Sequence, residues 1–293
     1  MQLDSLKSGS ESCGLSIVVR TFNSARTIRK LLAYFGTPNS VELIIVDSGS
    51  TDQTLEIVSV YGAQILRLAK PFHYSEALNV GFSKSSSRWV LCISSHCIPV
   101  DPEFTKNILR FTQAVPENCV VGYGQLNVVP PKTSCVNIVG DLPNFEQGSF
   151  FPGGNGLAVY RRSAWEAHPF AEDIDTAEDL EWFLWAMRHG FTARFIEGAS
   201  AVYLNQGSWA HMYRKGWLEV RRTRVLLPGS IKKPSAALTS LVVSYTYYLW
   251  LTLRLKIPPA TMFRQWAHSL GAFLAEFFPL PIHPFSRSEK ILR

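Results

Sequence analysis

Glu42-Leu43-Ile44-Ile45-Val46, followed at once by Asp47-Ser48-Gly49-Ser50-Thr51-Asp52, sets the fold class of this chain. Leu43 to Val46 is continuously apolar, the pattern of a strand buried on both faces of a parallel sheet. The chain then reverses, with Gly49 free to take positive φ and Ser50 or Thr51 available to cap a helix starting near Asp52. Asp47 therefore stands at the carboxyl end of an inner strand, the edge where open α/β sheets bind ligands. A carboxylate there can accept hydrogen bonds from a nucleobase or ribose. The same two aspartates would also serve simply to shape the turn and cap the helix.

An earlier apolar run, Leu15-Ser16-Ile17-Val18-Val19, ends in Arg20-Thr21-Phe22-Asn23-Ser24 and leads into a second helical pattern. Its apolar positions Ile28, Leu31, Leu32 and Phe35 recur at helical spacing, with Gly36 to close it. Further strands are expected at Ala63–Leu68, Trp89–Ile93, Val120–Tyr123 and Leu157–Tyr160, and Pro102 suits the first position of a helix. Alternating strands and helices predict a mainly parallel sheet with helices on both faces. The pieces SIVVRTFNSARTI and ELIIVDSGSTDQT together resemble the N-terminal signature of family-2 glycosyltransferases, which have the GT-A fold. The resemblance continues in order through Ala77-Leu78-Asn79-Val80-Gly81, Trp89 to Pro99 and Thr176-Ala177-Glu178-Asp179, covering roughly residues 14 to 205.

Composition sets the bounds. At 293 residues the chain holds one large domain, or one domain with an appendage. Its 29 Lys and Arg against 23 Asp and Glu give a formal charge of +6, which favours anionic partners such as nucleotide diphosphates or lipid headgroups. Without a zinc finger or an RNA-binding aromatic motif, nucleic acid is not the expected partner. The five cysteines, Cys13, Cys92, Cys97, Cys119 and Cys135, form no CxxC pair and leave an odd count, as expected of reduced thiols in a cytoplasmic setting. Cys92 and Cys119 lie in apolar runs and read as core packing. Residues 1 to 13 are polar, without the apolar region of a secretory signal.

Past Asn205 the character changes. Arg214, Lys215, Arg221, Arg222 and Arg224 make a basic stretch, and Ala236 to Leu253 then carries no charge between Lys232 and Lys233 before it and Arg254 and Lys256 after it. Leu238, Leu241, Val242, Tyr245 and Leu249 form a helical stripe, but Thr239, Ser240, Ser244 and Thr246 interrupt it. A buried or interfacial amphipathic helix fits this pattern better than a membrane span. The tail from Met262 to Phe285 is rich in Phe, Trp and Pro and offers a second contact surface. The organisation expected is a flexible N-terminus (1–13), a GT-A domain (14–205) and a basic, apolar helical extension (206–293).

Three places carry candidate chemistry. In the family, the turn after the strand at Trp89–Ile93 bears an acid-any-acid motif that holds a divalent metal on the donor diphosphate; here it reads Ser94-Ser95-His96. Both acids are missing. A neutral imidazole can ligate Mn²⁺ but suits hard Mg²⁺ poorly, so Mn²⁺ is the expected ion. Alternatively, His96 donates a hydrogen bond to the diphosphate or is satisfied by backbone. A metal-binding His96 would lose activity as it protonates near its reference pKa of about 6.5. A later histidine serves as metal ligand in many relatives, where this chain has Tyr203-Leu204-Asn205-Gln206. Thr176 to Asp179 opens a helix whose buried face is Leu180, Phe183, Leu184 and Met187. Thr176 and Asp179 match a capping box. In the family, the aspartate of the Glu-Asp pair is the inverting base, here Asp179, with Glu178 beside it and Trp182 one turn on as a sugar-stacking surface or core residue. The Phe151-Pro152-Gly153-Gly154-Asn155-Gly156 turn is expected on the acceptor side through Gly154 and Asn155. Thr21, Asp47, Asn79, Ser94 and His96 are expected to line the donor site, and Ser48 stands where relatives often have a second acid.

The resemblance thus implies an inverting transferase moving a sugar from a nucleoside-diphosphate donor to a hydroxyl of a saccharide or lipid-linked acceptor. Its expected setting is surface-polysaccharide assembly at the inner face of a membrane, with peripheral contact to anionic lipid. The alternative is a catalytically impaired scaffold that kept the fold. A dinucleotide-dependent oxidoreductase is disfavoured, since no GxGxxG follows the first strand.

Overall fold

The strand Leu15–Thr21 (β1) is buried along its whole length, as its apolar run requires, and continues through α1 (Ile28–Leu32) into β2 (Glu42–Asp47). In the computed structural model, residues 14–35, 41–68, 73–127, 154–174, 176–204, 207–227, 234–255 and 258–277 are described. The chain goes on through α2 (Thr54–Ser59), β3 (Gln64–Arg67), α3 (Tyr74–Lys84), β4 (Trp89–Ser94), β5 (Cys97–Pro99), α4 (Phe104–Ala114) and β6 (Cys119–Asn127). It then forms β7 (Leu157–Arg161), α5 (Arg162–Ala167), α6 (Glu178–Arg188) and β8 (Thr192–Tyr203). Three helices follow: α7 (Trp209–Leu226), α8 (Pro234–Leu255) and α9 (Pro259–Phe277).

These strands form one eight-stranded sheet in the order β3-β2-β1-β4-β7-β6-β8-β5. The β3, β2, β1 and β4 strands pair in parallel, while β7 runs antiparallel between β4 and β6. The fold is therefore GT-A-like: a mostly parallel sheet between helices, with a helical C-terminal region. The side-chain alternation of β1 divides the core. Ile17 and Val19 face α1 and α4 residues such as Leu31 and Phe104, whereas Val18 faces α3, β7 and α6 residues such as Phe82, Tyr160 and Trp182. Gly81 lets α3 lie close on this second face, because a Cβ there would collide with Val18.

Two departures from the sequence reading are local. The helix expected near Asp52 starts at Thr54, and Asp52 itself accepts from the Thr54 amide (3.0 Å), while Ser50 and Thr51 bond back to Asp47 and Asn23. The strand β8 was not anticipated, because Gly198 at φ +72° breaks its alternation and shifts its register against β6. Its second half stays paired with β6 and carries β5 on its other edge.

The C-terminal helices pack on one another. Gly216 on α7 lies against the His268 carbonyl, and Gly271 on α9 lies against the Tyr213 carbonyl, so neither position has room for a Cβ. Helix α8 lies along α9, with Ser244 Oγ bonded to Ser269 Oγ at 2.6 Å. The reading of α8 as a core helix does not hold: Leu238, Val242, Val243, Tyr247, Trp250 and Leu253 are each at least half exposed. By length and composition, Ser235–Arg254 could cross a membrane. Residues 1–13, most of the 130–154 loop, Asn205, Gln206, Lys232, Lys233, Lys256 and the tail beyond Phe277 lie outside the described residues.

Candidate active site

Parallel pairing brings the carboxyl ends of β1, β2 and β4 to one edge, aligning Thr21 with Asp47 and Arg20 with Ser94. Asp47 is buried and accepts from the Gly49 amide (3.0 Å) and the Ser50 amide (3.0 Å), with the Ser50 hydroxyl also donating to it. It therefore builds the turn at this edge, as one of the two readings of its sequence position expects. Beside it, the buried Thr21 and Ser48 hydroxyls have no hydrogen-bond partner among the described residues. Buried polar atoms are rarely left unpaired, so the edge carries unused hydrogen-bonding capacity.

Arg20 is the residue that the motif reading passed over. Its side chain is 8% exposed and lies 5.6 Å from the centre of the Tyr74 ring. Nη2 donates to the Asn155 carbonyl at 2.8 Å, and Nη1 lies 3.9 Å from Glu178 Oε1. Nε and Nη1 make no hydrogen bond among the described residues. The one available signal was a charge inside an otherwise apolar strand, directly before Thr21.

Asn155 ties this guanidinium to the acidic pair. Its Nδ2 donates to Glu178 Oε1 (3.1 Å), its backbone amide donates to Asp179 Oδ2 (3.3 Å), and its Oδ1 accepts from the Tyr160 hydroxyl (2.7 Å). At 2% exposure, Asn155 organises the site from beneath. Gly154 leaves space beside Asp179, since a Cβ there would come within 3.3 Å of Oδ2. The expected capping box does not form. Helix α6 begins at Glu178 behind Ala177, whose φ is +64°, and no side chain caps it. Asp179 instead accepts from the amides of Leu180 (2.8 Å) and Asn155. Burial, then the neighbouring Glu178 charge, raise its pKa to about 7 against the lowering effect of those two amides. Asp179 thus changes charge near neutral pH, as a proton acceptor should.

Trp182 does not face an acceptor. It is fully buried, donates from Nε1 to the His168 carbonyl (2.8 Å) and packs on Tyr160, because helical spacing places it on the core face of α6. Asn79 also has other work. Its Oδ1 accepts from Trp165 Nε1 (3.0 Å) and the Phe170 amide (3.1 Å), while Nδ2 donates to the Phe170 carbonyl (2.9 Å) and Glu172 (2.8 Å). These bonds clamp the segment after α5 to α3.

His96 occupies the β4–β5 turn, edge-on to Tyr203 with ring centroids 5.0 Å apart. Lys215 of α7 reaches the same Tyr203 ring, with Nζ 5.6 Å from its centre. Burial, then the charges of Arg20 and Lys215, lower the His96 pKa to about 4. This corrects the expected loss of activity near pH 6.5: His96 is neutral throughout that range. Burial alone would lower the Lys215 pKa, but Glu219, followed by Tyr203, Tyr74 and Asp179, raises it, and Lys215 stays charged. No cluster of three or more His, Cys, Asp or Glu suited to a metal occurs among the described residues. One neutral imidazole beside two cations is a poor fit for a protein-built divalent centre.

Residues 16–126 match the family model described as Glycosyl transferase family 2, a segment that runs from β1 into β6 and stops short of Asp179. No curated protein matches the chain. Among solved structures, it is similar to the mannosyltransferase PcManGT from Pyrobaculum calidifontis in complex with GDP-Man and Mn²⁺. That pair is 15% identical, with 94% of this chain and 89% of that chain covered and a TM-score of 0.59. A second similar structure is glucosyl-3-phosphoglycerate synthase from Mycobacterium tuberculosis in complex with Mn²⁺, UDP and glucosyl-3-phosphoglycerate. There the identity is 18%, the coverage 73% and 78%, and the TM-score 0.56. S. aureus TarS (residues 1–349) is 19% identical, with 89% and 80% covered and a TM-score of 0.50.

Proposed function

We propose that this chain is an inverting glycosyltransferase that moves a sugar from a nucleoside-diphosphate donor onto a hydroxyl of a saccharide or lipid-linked acceptor. The family match on β1 to β6 and the fold shared with nucleotide-sugar enzymes support the donor class. The observation that carries the catalytic reading is Asp179: a buried carboxylate, aimed by two backbone amides, with a pKa raised to about 7.

In this reading the acceptor hydroxyl oxygen attacks the anomeric carbon from the face opposite the diphosphate. Its bond to that carbon forms as the bond from the carbon to the phosphate oxygen breaks, and the nucleoside diphosphate leaves with the electron pair. The hydroxyl proton passes to Asp179. A base of this strength suffices because the attacking oxygen becomes acidic late in the step and the site holds the partners in line. Glu178, paired with Asn155 and facing Arg20, keeps the neighbouring charge fixed. The Asp47 turn and the open hydroxyls of Thr21 and Ser48 receive the nucleoside end.

Two similar structures hold Mn²⁺ with a nucleotide or nucleotide sugar, which supports a divalent cation as companion of the donor here. Mn²⁺ is the ion to supply first, because both of those structures hold it. No step above is routed through it. The exposed apolar face of α8 and the basic residues of α7 support peripheral contact with an anionic membrane, consistent with a cytoplasmic enzyme working on lipid-linked or surface saccharides.

The test begins with thermal shifts against a panel of nucleotides and nucleotide sugars, since a bound ligand stabilises the native state. Transfer from the donor so identified is then followed by NMR of the product. An anomeric configuration opposite to the donor's supports the reading, and a retained configuration refutes it.

A further inference from the structure

Family-2 enzymes of the kind this chain resembles use acidic side chains to hold a metal against the donor diphosphate, and this chain has Ser94 and His96 in that place. Positive charge is nevertheless present there, supplied by the protein. Arg20 projects from the end of β1 with Nε and Nη1 buried and without hydrogen-bond partners among the described residues. Lys215 projects from α7, and its Nζ shares the Tyr203 ring with His96. The Arg20 carbonyl accepts from the Ser95 amide (3.1 Å), and the His96 carbonyl accepts from the Leu204 amide (2.8 Å), so the turn is tied on one side to the strand that carries Arg20 and on the other to the residue after Tyr203, whose ring Lys215 reaches. Among the described residues each is ion-paired with one carboxylate: Arg20 with Glu178 at 3.9 Å, and Lys215 with Glu219 at 3.6 Å. Glu219 is shared with His268 Nε2 at 2.8 Å. Among the described residues neither cation holds a carboxylate bidentately, and a buried guanidinium with two nitrogens lacking hydrogen bonds is costly unless an anion supplies them.

We propose that Arg20 and Lys215 form a diphosphate clamp around the Ser94-Ser95-His96 turn, taking over from a protein-held metal the charge of the donor's diphosphate. Arg20 meets it from the sheet, with directed N–H donors. Lys215 meets it from the C-terminal extension as a point charge, so the donor site spans both parts of the chain. His96, neutral between the two cations, is left to donate a hydrogen bond to a phosphate oxygen. The clamp also stabilises the departing diphosphate, whose negative charge grows as the glycosidic bond breaks. This inference rests on the glycosyltransferase reading, and its test separates the two.

The experiment is calorimetric titration of the full chain with UDP, GDP, ADP and CDP, and with the matching nucleosides, in chelator and again in Mn²⁺. The nucleoside diphosphate that binds should do so in chelator. Lys215→Met should weaken it by roughly tenfold to a hundredfold, the scale of a charge-assisted contact, and leave the nucleoside's affinity unchanged. Lys215→Arg should restore most of the loss, which a merely structural role would not do. Lys215 is one-third exposed and paired with Glu219, so its variants are checked for an unchanged melting temperature; Arg20→Lys, checked in the same way, probes the buried partner. Diphosphate binding that appears only with Mn²⁺, or that is unchanged in Lys215→Met, overturns the clamp and leaves the transferase reading standing. Failure of all four diphosphates in both conditions removes both.

Discussion

Gly154 keeps the space in front of Asp179 open: a Cβ at residue 154 would sit 3.3 Å from Oδ2, closer than an ordinary contact. Gly154→Ala should lower kcat roughly tenfold by displacing the carboxylate a few tenths of an ångström, with the donor's Kd unchanged. An equal loss in donor affinity would show that residue 154 acts on the nucleotide side.

Asp179→Asn gives two opposed effects. Turnover should fall on the order of a hundredfold or more, because amide oxygen cannot take the proton. Stability should move the other way. A carboxylate whose pKa is raised in the folded state, here to about 7, favours folding below the unfolded value, and that support is lost as pH rises through 7. The asparagine variant should therefore melt above the parent at pH 8 and lose that advantage at pH 4. The parent's own activity should climb with pH through about 7. A variant less stable than the parent at pH 8 would contradict the buried-charge account.

Asn79→Ala should behave as a structural lesion. It removes four hydrogen bonds around Phe170, Trp165 and Glu172 and should cost about 1–3 kcal/mol, read as a shifted urea midpoint. The Kd for a nucleoside diphosphate should stay within about twofold, as the side chain is spent on the α5 segment. A selective loss of donor affinity would return Asn79 to the donor site.

Gly216→Ala and Gly271→Ala should each wedge α7 from α9, since the added methyl meets backbone carbonyls that cannot step aside. The expected cost is roughly 1–3 kcal/mol. Limited proteolysis should then cut near α9 sooner than in the parent. Because Lys215 precedes Gly216, diphosphate affinity should fall as well.

For the outer surface, co-sedimentation with phosphatidylglycerol vesicles should exceed that with phosphatidylcholine and decline with salt. Replacing Val243 and Trp250 by serine should reduce it several-fold, since both lie on the exposed face of α8. Absence of binding at low salt would leave α8 without a membrane role.

Much of the fold was legible because buried parallel strands leave unbroken apolar runs: β1, β2 and β4 are as apolar as they are inaccessible. The strand β8 was hidden because Gly198 interrupts it, with a register shift against β6, and because Arg194 and Glu197 break its apolar run. Asp179 could be found from its motif, yet its surroundings could not. Asn155, Arg20 and Glu178 meet only when β1, β7 and α6 are assembled, and Lys215 is delivered by a helix whose pose depends on two glycines. Trp182 was ambiguous for a related reason: helical spacing marks a face but does not say which face meets the core.

Ala177 holds a left-handed backbone, φ +64°, immediately before the two acids. For a residue with a Cβ this conformation costs about 1 kcal/mol, which glycine would not incur. A laboratory selection rewarding heat resistance alone would have two adjacent openings, Gly at 177 and Asn at 179. The first frees the hinge that aims the helix, and the second removes its proton acceptor. On the proposed function, directed evolution of this chain should therefore screen for turnover in every round, because its most accessible routes to robustness run through the proposed catalytic site.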